Sequence, residues 1–385
     1  MTVAAFMELA LYDYEAGYYA RAAQRSGRAG DFFTGVDVGP LFGELLEIQI
    51  EEMAGILDLD VGRVLLDPPV AGGGPYGGPD KVRPTGDFDM VEAGAGNGRL
   101  AADVLRTARG RNTDFYHRIR LHLIEASAQA RAAQADTLGD VIGRLVSSSA
   151  TLPSDFEGVL VANELIDALP VHQVVMRDEG LREVYVDAAA GRLVTVEGSP
   201  STPALADHLG RLGIVPEPGW RLEIGLRAVE WIREAARALR RGFIILIDYG
   251  HEARELYSAT HAAGTLTGFS RHTMTGTESP ESRPKWLERA GEQDLTAHVD
   301  FTSVRAAAEA EGLVTLGFLD QTYFLMGLLT AGQESIASDA PPFEPRQLKT
   351  LLMPGGMGST HKVLIFGKGV GSPSLRGCSF RQRVT

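Results

Sequence analysis

Three glycines within five positions, Gly94, Gly96 and Gly98, follow the apolar run "DMVEA" and precede "RLAADVLRTAR". Glycine lets a chain turn tightly and pass close to a ligand with no Cβ in the way. Behind a strand and ahead of a helix, such a loop suits a nucleotide. The dinucleotide fingerprint wants a glycine five residues after the first, but that position is Arg99 and the third glycine comes one residue early. Glu92 ends the strand that feeds the loop, and Glu125 ends the next apolar run, "LHLIEAS". A carboxylate in that second place can accept hydrogen bonds from both hydroxyls of a ribose. A further run, "GVLVANELIDALP", carries Asn163, Glu164 and Asp167 to the same edge. A carboxylate pair there suits a cationic group, although Asn163 and Asp167 are equally suited to cap a helix. "GEQDLTAHVDF" gathers Asp294, Thr296, His298 and Asp300, and "IDYGHE" adds Asp248, Tyr249 and His251. A histidine flanked by carboxylates can accept a proton, or it can serve only as a hydrogen-bonding residue.

These residues need a scaffold, and the pattern predicts one. From Phe88 onward, short apolar runs ending in polar residues alternate with amphipathic stretches, the mark of buried parallel strands and their crossover helices. The expected fold is α/β, a doubly wound and mostly parallel sheet, in which ligands bind at the carboxyl ends of the strands. Residues 1–66 read as an N-terminal helical segment, where Pro40 opens "PLFGELLEIQIEEMAGIL" with Glu44, Glu47 and Glu51 on the face away from the packed side. Residues 67–86 are a Pro/Gly-rich linker or insertion. The main domain spans 87–370, with insertions at 170–220 and 255–292. The first contains a hairpin turning at Glu179–Gly180, and the second is a long loop. "GLRAVEWIREAARALRRG" should be a helix ending at Gly242, and 371–385 a disordered tail.

Composition narrows the function. A net charge of −13, with no dense Lys/Arg cluster, argues against broad binding of nucleic acid or anionic membrane. The lone Cys378 argues against disulfides, cysteine-based zinc sites and thiol chemistry. No His pair sits at metal-ligand spacing in the sequence, and no metal is expected. The N-terminal "MTVAAFMELALYDYEAGYYA" lacks the basic region of a signal or transit peptide. No apolar run approaches membrane-spanning length, so a cytoplasmic setting is expected.

The glycine loop resembles the E/D-x-G-x-G-x-G loop of S-adenosylmethionine methyltransferases more than a dinucleotide loop. Several further blocks, in order, resemble the MidA-like family, which includes the mitochondrial complex I assembly methyltransferases: "GRAGDFFT", "PLFGELLEIQIEEM", "VEAGAGNGRLAADVLR", "LIEASAQARAAQADTL", "VANELIDALPVHQ", "IDYGHE" and "GEQDLTAHVDF". The resemblance implies a Rossmann-like class I methyltransferase fold and S-adenosyl-L-methionine as cofactor. It implies a protein substrate with an acceptor arginine, a respiratory NADH dehydrogenase subunit being one such acceptor. It places Gly94, Gly96 and Gly98 at the cofactor loop, Glu92 at the cofactor's amino acid end and Glu125 at the ribose. Asp31 and Thr34 would close over the cofactor, and Asn163 would lie beside it. Glu164, with Asp167, would orient the guanidinium, and the proton would leave to a carboxylate or to His298. Ala95 and Asn97 depart from the family loop without removing a glycine. Two other readings stay open: a non-catalytic assembly factor that binds the cofactor, and an NAD-linked oxidoreductase, against which Arg99 counts.

Overall fold

The computed structural model describes residues 1–20, 35–64, 86–270, 273–275, 284–335, 345–352 and 361–380. The expected linker at 67–86 lies almost wholly outside these residues, as do Asp31 and Thr34. Helix α1 (Val3–Tyr12) is capped by Thr2, whose hydroxyl accepts the Ala5 N–H at 3.1 Å. Helix α2 (Leu41–Val64) follows directly on Pro40. Leu41, Leu45, Leu46, Ile50 and Met53 are all buried, and so is Glu47, which is 0% exposed. The expected wet face therefore does not exist there, because α2 packs between two other helices rather than on one surface. Burial pushes the Glu47 carboxyl up to about 7, with an Arg111 guanidinium nitrogen 3.5 Å away.

The wound core then begins. Strand β1 (Phe88–Ala93), helices α3 (Arg99–Arg111) and α4 (Thr113–Arg118), strand β2 (Ile119–Ile124), helix α5 (Ala128–Leu138) and strands β3 (Leu145–Ser149) and β4 (Phe156–Asn163) form its first half. Their inward residues are almost entirely apolar, as buried parallel strands require. Asn112 and Ser127 cap α4 and α5, accepting from the Phe115 and Ala130 N–H groups. Between β4 and the rest of the core lies an antiparallel unit. It comprises β5 (His172–Arg177), β6 (Gly180–Ala189), β7 (Arg192–Gly198), helix α6 (Ala204–Leu212) and β8 (Arg221–Ile224). The β5–β6 turn falls at Glu179–Gly180 as expected, but the insertion is a four-stranded sheet in the order β7-β6-β5-β8. Helix α1 lies on it, with Val3, Phe6 and Met7 in one apolar cluster with Val175, Val184 and Val186.

Helix α7 (Leu226–Ala238) leads into β9 (Leu239–His251). The helix ends before Gly242, and that glycine serves the sheet instead of a helix cap. Its φ is +135°, and a Cβ there would lie 1.9 Å from the Gly158 carbonyl oxygen. After helix α8 (Ala253–Leu256), strands β10 (Thr267–Ser270), β11 (Thr273–Thr275) and β12 (Asp294–Thr296) make a small sheet where a long loop was expected. Its partners are far apart in sequence, Thr267 facing Thr296, so period alone does not reveal it. The chain finishes with β13 (Val299–Asp300), α9 (Phe301–Ala310), β14 (Val314–Asp320), α10 (Gln321–Ser335), α11 (Pro345–Leu352) and β15 (His361–Lys368).

The main sheet runs β14-β15-β9-β4-β1-β2-β3, with β13 pairing on β9. Strands β3, β2, β1, β4 and β9 are mutually parallel, and β15 is antiparallel to both neighbours. The chain winds outward from β1 to β3, then returns to β4 on the other side of β1. That reversal creates a crevice at the carboxyl ends of β1 and β4. Residues 371–380, expected as part of a disordered tail, are instead packed down. Leu375 is buried, and the Gly377 N–H donates to the Gln49 side-chain oxygen at 2.9 Å.

Candidate functional site

The crevice is a cavity of about 330 Å³. The glycine loop forms its floor, and the three glycines have φ of +73°, +50° and +82°. At Gly94 a Cβ would lie 3.1 Å from the Leu165 Cδ1, so a side chain is excluded by both space and backbone conformation. The Gly94 and Ala95 N–H groups both donate to the Ile124 carbonyl, which ties the loop to the end of β2.

Gly98 is the N-cap of α3 and has no side chain to satisfy the first-turn N–H groups. Glu92 stands in for it, accepting the Ala101 N–H at 3.0 Å from the end of β1. Burial pushes this carboxyl up to about 8, and the nearby Glu125 adds to the rise. Glu125 closes the loop from the other side. One oxygen accepts the Gly96 N–H at 2.8 Å and the other the Ser127 N–H at 2.7 Å. Burial raises its carboxyl too, against those two hydrogen bonds. Both carboxylates line the cavity, as do Gly94, Gly96 and Asn163. The Asn163 Oδ1 is buried with no hydrogen-bond partner among the described residues, an acceptor that a ligand donor could satisfy.

Glu164 follows at the end of β4 and also lines the cavity. Its backbone has φ +50°, a left-handed conformation that costs a non-glycine residue stability. The peptide is held there by its N–H, which donates to the Ile247 carbonyl at 2.8 Å. Its carboxylate accepts the Gly35 N–H at 3.4 Å and lies 3.7 Å from His361 Nε2. Asp37, two residues beyond Gly35, pairs with Arg99 at 2.9 Å. The described segment after the "GDFFT" block is thereby fastened to both loops that line the cavity.

The other two expected catalytic residues are not brought to the cavity. Asp167 is buried behind it, accepting from the Tyr249 hydroxyl and from the Thr296 hydroxyl at 2.9 Å. Burial raises its carboxyl, and Glu164 raises it further. The carboxylate pair expected to grip one cation is therefore a single wall residue, Glu164, backed by a buried structural one. Asp248 deepens that network. It is 1% exposed and accepts the Ile166 N–H at 2.8 Å. His298 sits beyond Tyr249, and neither flanking carboxylate engages it. Asp294 accepts from Tyr19, while Asp300 caps α9 through the Thr302 and Ser303 N–H groups. Burial, then the neighbouring His251 and His261, depress its imidazole to about 4.

Among the lining residues that escape sequence reasoning are Tyr12, Tyr19, Arg227 and Trp231. The aromatic run "LYDYEAGYY" was a signal for the first two, whose rings lie 5.4 Å apart. Nothing in the pattern of α7 marks Arg227 or Trp231, because only the packed sheet decides which face of that helix meets the crevice.

Comparison with known proteins matches this arrangement. The chain is 27% identical over 413 residues to a Drosophila melanogaster protein named as a mitochondrial protein arginine methyltransferase, NDUFAF7 homolog, covering 96% of this chain and 82% of that protein. It is 27% identical over 368 residues to the human protein of the same name, covering 85% and 70%. The expectation of a cytoplasmic setting is corrected by these relatives, which are named as mitochondrial. The absence of a membrane-length helix among the described residues says nothing of compartment. A Burkholderia thailandensis protein solved with S-adenosyl-homocysteine bound superposes with a TM-score of 0.79 at 28% identity, covering 99% of this chain and 90% of that one. A cavity floored by the left-handed Gly94 and Gly96, with Gly98 turned to Leu123 and Gln134 behind it, and with a carboxylate at the end of each neighbouring strand, fits the cofactor S-adenosylmethionine. A family model described as "Putative S-adenosyl-L-methionine-dependent methyltransferase" matches residues 79–319, more than half of the chain. The chain belongs to this family of S-adenosylmethionine-dependent methyltransferases.

Proposed function

We propose that the chain methylates a guanidinium nitrogen of an arginine side chain in a protein substrate. The observation that carries this reading is the Glu164 carboxylate, held on a strained backbone at the cavity wall beside the glycine loop. The names of the curated relatives support it. When bound, S-adenosylmethionine supplies an electrophilic methyl carbon on its sulfonium. Glu125 would hold the ribose while its other lone pairs keep the loop closed. Glu92 would face the amino acid end, its carboxylate form countering the ammonium charge there, and Asn163 Oδ1 would accept from the same end. Glu164 grips the guanidinium, localises its charge on the far nitrogens and takes the departing proton. Aligning the reacting atoms in this way supplies several kcal/mol of the barrier. Asp167 is a positioning residue that acts through Tyr249 and Thr296. His298, outside the cavity and with a depressed imidazole, is assigned no proton-transfer role.

The test is incubation of the chain with labelled S-adenosylmethionine and candidate proteins, followed by mass spectrometry of labelled bands. A respiratory NADH dehydrogenase subunit is the first acceptor to try, given the family that the sequence blocks resemble. Label on arginine, with transfer reduced about 100-fold or more in Glu164→Gln at unchanged cofactor affinity, is the expected result. Label on lysine or on a small molecule would overturn the arginine assignment. A Glu164→Gln chain that transfers methyl groups at the original rate would favour a cofactor-binding assembly role instead.

A further inference from the structure

Outside the cofactor cavity, three imidazoles from separate segments converge. His251 ends β9, His261 lies in the short 3-10 turn Ala259–His261, and His298 links β12 to β13. One nitrogen of each lies within 4.8 Å of the other two. Their ring centroids are 4.7 Å apart for His251–His261, 5.3 Å for His251–His298 and 5.8 Å for His261–His298. All three are half-buried.

The hydrogen bonds around the cluster decide which nitrogens are free to donate electrons. The Nδ1 of His261 is 3.0 Å from the Glu255 backbone carbonyl, which can only accept, so Nδ1 carries the hydrogen and Nε2 keeps its lone pair. A carbonyl behind one ring nitrogen, as at His261, orients a metal-binding histidine and raises its basicity. The Nδ1 of His251 lies 3.0 Å from the Glu255 side-chain carboxylate but makes no hydrogen bond among the described residues. His298 Nδ1 is buried and has no hydrogen-bond partner among the described residues.

We propose that His251, His261 and His298 bind one divalent transition-metal ion of the zinc class. Zn–N bonds of about 2.0–2.1 Å in a tetrahedron put the donor nitrogens roughly 3.4 Å apart, so the cluster closes by small side-chain rotations. Three imidazoles with no thiolate favour zinc among abundant borderline ions, and the set leaves one coordination position for water or for the nearby Glu255 carboxylate. The ion fastens the segment after β9 and the β12–β13 link to the end of β9. Tyr249 sits there, its ring centroid 5.8 Å from that of His298, and its hydroxyl donates to Asp167. The metal thereby stiffens the wall that backs Glu164. This inference stands on the histidine geometry and does not depend on methyl transfer or on the acceptor.

The experiment uses the full chain without a polyhistidine tag, stripped with a strong chelator. It is titrated with Zn²⁺ against a chromogenic chelator, and separately with Co²⁺ as an optical probe. One equivalent should bind, Co²⁺ should show the intense visible bands of a four-coordinate site, and the melting temperature should rise with bound Zn²⁺. His261→Gln and His251→Gln should each weaken Zn²⁺ binding at least 10-fold. Circular dichroism confirms that each variant is folded, and S-adenosyl-homocysteine titration of the same samples reports the cofactor cavity separately. Failure of the wild-type chain to hold Zn²⁺ against the competing chelator, or equal affinity in both folded variants, overturns the site. Zn²⁺ binding that both variants lose supports it, whatever S-adenosyl-homocysteine does.

Discussion

The two halves of the crevice are built in opposite ways. The cofactor half is local: β1, the glycine loop, α3 and the end of β2 supply Glu92, three glycines and Glu125 from one continuous stretch of chain. The wall at Glu164 is assembled from afar. Glu164 follows β4, and the network behind it joins Asp167, Tyr249 from β9 and Thr296 from β12, with His361 from β15 beside Glu164, across 129 residues in the Asp167–Thr296 bond alone. A local site can be strict in backbone conformation yet tolerate change elsewhere. A dispersed one depends on the whole sheet being in register, and here it holds the Glu164 carboxylate on a left-handed backbone.

If that contrast is right, the largest effect comes from breaking the local half. Gly94→Val puts a branched side chain at φ +73° against Leu165. Isothermal titration should show S-adenosyl-homocysteine affinity falling about 100-fold, roughly 3 kcal/mol. Unchanged affinity would mean that the loop does not touch the cofactor. Glu92→Gln comes next and acts through pH. In the folded chain the Glu92 carboxyl titrates at about 8, raised above its ordinary 4.5 by burial. Native protein thus holds a proton that unfolded chain releases between those values. The stability contributed by protonated Glu92 is full below about pH 4.5 and is lost as pH rises through the folded value near 8. Glutamine keeps the acceptor for the Ala101 N–H and cannot ionise. Its melting temperature should match wild type at low pH and exceed it by a gap that opens between about pH 4.5 and 8 and levels off above. A gap independent of pH would refute the raised titration.

The dispersed half should respond more evenly. Tyr249→Phe removes the hydroxyl shared by Asp167 and Thr296, leaving a buried carboxyl less satisfied, and should cost roughly 1–2 kcal/mol in chemical denaturation. Its cofactor affinity should stay within about 3-fold of wild type, about 0.7 kcal/mol. A large loss would mean that the halves are not separable. The smallest effect has the opposite sign. Glu164→Asn keeps a polar residue that tolerates the left-handed region and removes a carboxylate that raises Asp167. Stability should rise by up to about 1 kcal/mol while methyl transfer falls. A destabilised variant would show that Glu164 is retained for the fold.

The same contrast explains what the sequence made legible. Glycine spacing and carboxylates at the ends of apolar runs are local signals, and they placed the fold class and the order of the first strands and helices along the chain. Asp167 was misread because its neighbour Glu164 is separated from it by a tight turn that sends the two carboxylates to different sides. His298 was misread because the carboxylates flanking it in sequence serve Tyr19 and α9 in space. The convergence of His251, His261 and His298 left no mark on the sequence, because the three share no periodic spacing. Glu47 was placed in solvent because amphipathic periodicity shows one packed face and cannot show a second element covering the other. The small sheet of β10, β11 and β12 was hidden because strand pairing at long range leaves no mark on the period of either partner.

The turn at Gly377 sets a schedule. Its N–H reaches Gln49 across 328 positions, and the neighbouring Arg376 N–H reaches Glu52 across 324. A Cβ at Gly377 would lie 2.3 Å from the Phe324 ring, so the turn also seals α10. Gln49 and Glu52 of helix α2 leave the ribosome more than 320 residues before these partners do. Contacts of such separation form slowly, since loop closure must precede their reward. A ribosome-bound chain lacking residues 375–380 should therefore expose α2 to protease, and release of the last turns should be the step that protects it.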